Sequence, residues 1–194
     1  MPHPQRNNVV ELQSDQFPVR FGKPVDEQQI RLLLLLGHFE NSIFKCNLQK
    51  VDSVVKRMLF TPWLSPQDTG LRGCFGVIGP EGGTLEALTM IAVSSQWYTD
   101  ESHLEEYIVY VHPEHRTKGH GGRLIDWMIE LAERMQIPLL TGVISQSRME
   151  AKVRMYRKKL TPVGQFFLHM PKSNPYWESQ RARWSSLPSS SAAA

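Results

Sequence analysis

Leu104-Glu-Glu-Tyr-Ile-Val-Tyr-Val-His-Pro-Glu-His-Arg116-Thr-Lys-Gly119-His-Gly121-Gly122-Arg-Leu-Ile-Asp-Trp-Met-Ile-Glu-Leu-Ala-Glu-Arg-Met135 is the stretch that decides the fold. It has three parts. Tyr107 to Val111 is entirely β-branched or aromatic and reads as a strand. Pro113 cannot donate to a sheet ladder, so the strand ends before it. Arg116 to Gly122 is a glycine-rich turn. Leu124, Ile125, Met128, Leu131, Ala132 and Met135 then recur at helical spacing and make one apolar stripe, with Arg123, Asp126, Glu130, Glu133 and Arg134 on the other side. Glu130 and Arg134 stand at i,i+4 spacing, where they can pair.

Strand, glycine turn and helix together make a phosphate holder. The first N–H groups of a helix have no intrahelical acceptor, and the helix dipole adds partial positive charge there. Glycine lets the backbone approach an anion closely. Gly119, Gly121 and Gly122 would be a costly start for an ordinary helix, so the turn is read as an anion site. Two nucleotide motifs fit poorly. Gly119-His-Gly121-Gly-Arg-Leu lacks the third glycine of the dinucleotide fingerprint, and no acidic residue follows at the right distance. A P-loop would close on Gly-Lys-Ser/Thr, where this chain has Gly-Arg-Leu.

Arg116-Thr-Lys-Gly119-His-Gly121 resembles the acyl-CoA turn of the GNAT acetyltransferases, whose pattern is Arg/Gln-x-x-Gly-x-Gly/Ala between a strand and a helix. The lead-in Val111-His-Pro113-Glu-His-Arg116 is similar to that family's V-x-P-x-x-R. The likeness runs more loosely over residues 22–170. It implies an α/β fold: a GNAT-like mixed, mostly antiparallel sheet flanked by helices in a single domain.

Composition is compatible with this. The chain has 194 residues, 41% hydrophobic and 21% charged, enough for one domain with a real core. A net charge of +3 is too small to argue for nucleic acid. Cys46 and Cys74 stand in no metal-like spacing and read as free thiols in a reducing compartment. The polar start, Met1-Pro-His-Pro-Gln, has no apolar signal-peptide core, and the longest hydrophobic run, Leu32 to Leu36, is too short to span a bilayer. A cytoplasmic location is the default expectation.

In chain order, residues 1–21 read as a polar arm with a short strand near Val19-Arg-Phe21. Residues 22–171 form the acyl-CoA-binding domain, and 172–194 a flexible Ser- and Ala-rich tail. Asp26 and Gln29 resemble a capping box opening a leucine-rich helix that Gly37 weakens or ends. Asp52 is expected to cap a second helix, with Val54, Val55, Met58 and Leu59 inward and Pro62 as its stop. A loop with Trp63 follows. Strands at Cys74–Gly79 and Leu85–Val93 flank a hairpin turn at Pro80–Gly83. After the central stretch come a strand over 138–145, a helix over 147–160 and a last strand over 163–168.

The resemblance also assigns roles. Acetyl-CoA would be the co-substrate. Its pyrophosphate would lie on the turn Arg116, Thr117, Lys118, Gly119, His120, Gly121 and Gly122, and its pantetheine arm along the backbone of Val109, Tyr110 and Val111. An N–H near Val111 would face the oxyanion. An acceptor ammonium needs a base, since only roughly one lysine amine in 2,500 is neutral at pH 7. Histone-type members carry a catalytic glutamate eleven residues before the turn's arginine, which is Glu105 here; Glu106 is the second choice. Strict alternation places Glu105, Tyr107, Val109 and Val111 on one face, and a bulge would disturb that parity. Tyr156 occupies the place of the tyrosine that protonates the CoA thiolate. The family's asparagine earlier on that helix would fall near Met149, and its Gly-Phe after the tyrosine is replaced by Leu160-Thr-Pro-Val-Gly164. These departures, with the compact size, are similar to those of phage-encoded relatives.

His112, His115 and His120 cluster around the turn without a fourth ligand or fixed spacing, so no metal is expected and solvated or phosphate-facing histidines are. The basic run Arg148, Lys152, Arg154, Arg157, Lys158 and Lys159 reads as a solvated face, with attraction of the CoA 3′-phosphate as the other reading. The resemblance thus implies an acetyl-CoA-dependent N-acetyltransferase acting by direct attack of a primary amine in a ternary complex. The acceptor, protein or small molecule, is not encoded in any motif. The alternative is a non-catalytic GNAT-fold binding or structural protein; nucleic acid and membrane are not expected partners.

Overall fold

The computed structural model describes residues 17–42, 44–61, 72–145, 148–164, 166 and 177–178. The arm before residue 17, the loop around Trp63 and all of the expected tail but Trp177 and Glu178 lie outside the described residues. One sheet carries the fold. Its strands are β1 (Arg20–Phe21), β2 (Arg72–Ile78), β3 (Ala87–Ser95), β4 (Ser102–Val111) and β5 (Leu139–Leu140), in that spatial order. Every neighbouring pair is antiparallel except β4 with β5, which is parallel. This is the mixed, mostly antiparallel α/β architecture expected. The first strand belongs to the stretch read as an arm.

Two helices cover each face. α1 (Glu27–Asn41) and α2 (Leu48–Phe60) bury Ile30, Leu33, Val55 and Met58 against Phe75, Val77, Leu88, Ala92 and Tyr110. α3 (His120–Met135) and α4 (Met149–Arg157) bury Ile125, Trp127, Met128, Leu131 and Tyr156 against Cys74, Ile91 and Leu104 on the other face. Between these layers β2 is buried on both sides, which is why it reads as a continuous apolar run.

Several expected boundaries move, each for a reason that the local pattern hides. Asp26 is the N-cap residue of α1, as expected, but its side chain makes no capping bond to that helix. It is fully buried at the end of a 3-10 turn (Pro24–Asp26) and binds Arg20 through both guanidinium ends at 2.7 and 2.9 Å. It also accepts from the Lys23 N–H at 2.9 Å and the Gly82 N–H at 3.1 Å, so it ties β1 to the β2–β3 hairpin. α1 passes through Gly37 instead of ending there. A Cβ on Gly37 would stand 2.9 Å from Ile108 and 3.1 Å from the Tyr110 ring, so the glycine marks the helix's closest approach to β4. Asn47 caps α2, accepting from the Lys50 N–H at 3.0 Å. Asp52, expected there, lies inside the helix and pairs with Arg31 at 3.1 Å.

β4 begins five residues before Tyr107, because His103 and Leu104 pair with Ser94 and Val93. β5 is far shorter than its apolar run: residues 141–145 leave the sheet. α4 spans nine residues rather than the expected fourteen. Val163, Gly164 and Phe166 are not in a strand, and the rest of the last expected strand lies outside the described residues. Cys46 and Cys74 are both free thiols.

Candidate active site

β4 and β5 pair, among the described residues, at Leu104–Leu139 and Glu105–Leu140. Beyond Glu105, β4 continues to Val111 with no strand beside that edge among the described residues, while the chain after Leu140 departs. The two strands therefore form a fork. α4 crosses one side of it and the end of α1 reaches the other.

A bulge decides what enters the fork. Ile91 of β3 faces Glu106, but the next residue, Met90, faces Ile108, so Tyr107 is the extra residue. The bulge breaks the strict alternation read from the sequence. Val109 and Val111 share a face with Glu106, opposite Thr89, Ala87 and Ile91. Glu105 stands opposite Ala92, on the α1/α2 face with Ile108 and Tyr110. The structure therefore brings Glu106, not Glu105, beside Tyr156: the tyrosine hydroxyl donates to Glu106 Oε2 at 2.7 Å. Glu105 instead accepts from the Tyr107 hydroxyl at 3.3 Å.

The environment of this pair is unusual. Burial pushes the Glu106 carboxyl up to about 7, against the smaller lowering effects of the Tyr156 hydrogen bond and the Lys152 charge. Burial, and then the neighbouring Glu106, hold the Tyr156 phenol well above its usual range. A carboxylate that titrates near neutrality, held by one neutral donor, suits proton transfer.

Lys152 completes the group, and the sequence reading missed it by treating α4's cations as one solvated face. Its Nζ donates to Asn41 Oδ1 at 2.9 Å and Ser145 Oγ at 2.8 Å, and Ser145 Oγ donates to Asn41 Oδ1 at 2.6 Å. The available signal was spacing: Lys152 precedes Tyr156 by one turn and so shares its side of α4. Other members of the basic run do lie outward. Arg154 pairs with Glu150 at 3.8 Å and Lys159 with Asp126 at 2.5 Å.

The glycine turn lies at the far end of β4. Pro113–Lys118 is a 3-10 turn, and Gly119 follows at φ 74°, the left-handed conformation that glycine adopts without strain. Among the described residues no atom lies within 4 Å of where a Gly119 Cβ would be. Arg123 is the first residue of α3 to donate back along the chain, to Gly119 O at 3.3 Å, which leaves the preceding N–H groups facing outward as an anion cradle. These backbone features fit a pyrophosphate.

The side chains of the turn are otherwise engaged. Arg116 donates from Nε to Val111 O at 3.2 Å and from a terminal nitrogen to Glu40 at 2.5 Å, so it braces the turn against β4 and α1. Lys118 and His120 both bind Glu86, at 3.1 and 2.5 Å. His120 is buried rather than solvated or phosphate-facing. A Cβ on Gly121 would stand 2.7 Å from Met155 Sδ, so this glycine also serves the contact of α3 with α4. Ligand atoms of His112, Glu114 and His115 lie within 4.8 Å of one another, a donor set that the spacing did not suggest.

The chain matches the model of the acetyltransferase (GNAT) family over residues 49–160. It belongs to that family. No curated protein sequence matches it significantly. Solved structures show the same GNAT fold. An acetyltransferase described as possible, from Clostridium difficile 630, is 15% identical with a TM-score of 0.59, over 80% of this chain and 97% of that one. A ribosomal-protein-alanine N-acetyltransferase from Brucella melitensis biovar Abortus 2308 is 16% identical with a TM-score of 0.56, over 80% and 99%. The AAC(6′)-Iy structure in complex with the bisubstrate analogue CoA-S-monomethyl-acetylneamine is 9% identical with a TM-score of 0.58, over 80% and 98%. At these identities the likeness is one of fold. No helix among the described residues is long and apolar enough to cross a membrane.

Proposed function

We propose that this GNAT protein is an N-acetyltransferase that moves an acetyl group from acetyl-CoA to a primary amine by direct attack in a ternary complex. The observation that carries the proposal is the Glu106–Tyr156 pair at the open fork of β4 and β5, on the strand that leads into the Gly119 turn. The first N–H groups of α3 hold the pyrophosphate. The free edge of β4 at Val109, Tyr110 and Val111 lines the pantetheine arm. The CoA thioester supplies the activated acetyl group. Glu106 takes the proton that makes the acceptor ammonium a nucleophile, and Tyr156 positions its carboxylate. Glu105, turned to the α1/α2 face, has no part in proton transfer. The relatives' names range from ribosomal-protein-alanine to aminoglycoside acetyltransferases, and either kind of amine is compatible with this site.

Calorimetric titration of acetyl-CoA tests the reading. Gly122→Glu is the suitable variant. It adds a carboxylate to the first turn of α3, and the atom nearest to its Cβ is the Lys159 side chain at 3.8 Å. We expect micromolar binding by the wild type and at least about a tenfold loss in the variant, from repulsion at the phosphate site. No binding by folded wild type would overturn the cofactor assignment. Binding without turnover on any amine would favour the non-catalytic reading.

A further inference from the structure

The departing sulfur needs a partner, and Tyr156 is poorly placed to be one. Its hydroxyl donates to Glu106 at 2.7 Å, and burial holds the phenol well above its usual range, which makes it a weak proton donor to sulfur. One turn earlier on α4 stands a cation. Lys152 is half-buried, and both of its hydrogen bonds go to neutral oxygens, Asn41 Oδ1 at the end of α1 and Ser145 Oγ beyond β5. Its ammonium therefore spans the mouth of the fork. An ammonium has three protons, and these bonds use two.

The charged groups that act on Lys152 come from every side of the fork: Glu40 on α1, Arg116 in the turn, Glu106 on β4 and Arg148 at the start of α4. None forms an ion pair with it among the described residues, and Glu40 is taken by Arg116 at 2.5 Å. A partly desolvated cation without a contacting anion is stabilised by any anion that arrives or develops beside it. Burial, the largest influence on it, lowers its pKa below the usual lysine value, which brings it closer to that of a thiol.

We propose that Lys152 is a catalytic residue of the transfer, its Nζ facing the CoA sulfur and receiving the thiolate as it leaves. The inference rests on the acyltransferase reading above. The acceptor ammonium first loses a proton to Glu106, and the free amine attacks the thioester carbonyl. On collapse the C–S bond breaks, sulfur keeps the electron pair, and Lys152 hands it a proton. The second proton lost by the new amide nitrogen restores Lys152. The first passes from Glu106 to solvent, so the net products are amide, thiol and one proton.

The test needs no acceptor. Coenzyme A is bound to the full-length protein, and its thiol is titrated by the ultraviolet absorbance of the thiolate in the wild type, Lys152→Met and Lys152→Arg. Calorimetry confirms that each variant binds coenzyme A and is therefore folded. A cation at the sulfur lowers the thiol pKa, and we expect Lys152→Met to raise it by about 1–3 pH units over the wild type. Lys152→Arg should stay near the wild type. Lys152→Gln is the neutral substitute if the methionine variant does not fold. Bound thiols that titrate alike in the wild type and the neutral variant would overturn the role of Lys152 and leave cofactor binding standing. Failure of the wild type to bind coenzyme A would overturn both readings.

Discussion

Asp26 and Glu106 are both carboxylates taken out of water, and the protein treats them in opposite ways. Burial acts first on each and favours the neutral form. Asp26 meets a bidentate arginine and two backbone N–H groups, and these together outweigh burial and hold it below the usual aspartate range. Glu106 meets one neutral hydroxyl and a more distant lysine, so burial wins and the carboxyl rises to about 7. The first arrangement closes the outer end of the sheet. The second leaves a carboxyl ready to exchange a proton. Asp26 is thus held by charged and backbone donors that keep it ionised, whereas Glu106 has one neutral donor set against its burial.

Substitution separates the two most sharply. Glu106→Gln keeps an acceptor for the Tyr156 hydroxyl but removes the base, so the rate of acetyl transfer should fall about 10²- to 10⁴-fold while calorimetry shows unchanged acetyl-CoA affinity. The same variant should unfold at a higher temperature than the wild type at alkaline pH. The folded carboxyl is raised, so its contribution to stability is present below the unfolded value near 4.5 and lost as pH rises through about 7. An unchanged rate would return the base role to Glu105 or to desolvation alone.

Asp26→Ala should act the other way, with stability as the readout. It leaves Arg20 without its partner and frees two N–H groups, at a cost of about 3–5 kcal/mol in chemical denaturation. Because the folded Asp26 is lowered, its contribution is present above the unfolded value near 3.8 and fades as pH falls below that. The deficit of the variant should therefore shrink in acid. A deficit that is constant with pH would mean that packing, not charge, is what Asp26 supplies.

The smallest expected effect probes the partner of Glu106. Its hydrogen bond from Tyr156 lowers the carboxyl pKa against burial, so Tyr156→Phe should move the acid limb of the pH–rate profile up by about one unit. A limb that stays in place would separate Tyr156 from the titration of Glu106.

The strand, turn and helix of 104–135 were legible because their signals are local. A β-branched run, a proline stop, a glycine with positive φ and a helical apolar stripe each act within a few residues. The family followed from the same stretch, since its turn motif is made of consecutive residues. Which glutamate meets Tyr156 was not local. Strict alternation puts Glu105 on the face of Val109 and Val111, and the extra residue Tyr107, visible only in the pairing with β3, puts Glu106 there instead. Nor could the run of cations on α4 show which one turns inward, because Lys152 is held by Ser145, seven residues earlier, together with Asn41, 111 residues away. Asp26 stands at the N-cap that its neighbours suggest, but Arg20 and Gly82 take its carboxylate, and Asp52, which also looked like a cap, lies inside α2 and pairs with Arg31. Backbone form is settled by neighbours in sequence, whereas the pKa and facing of a buried charge are settled by neighbours in space.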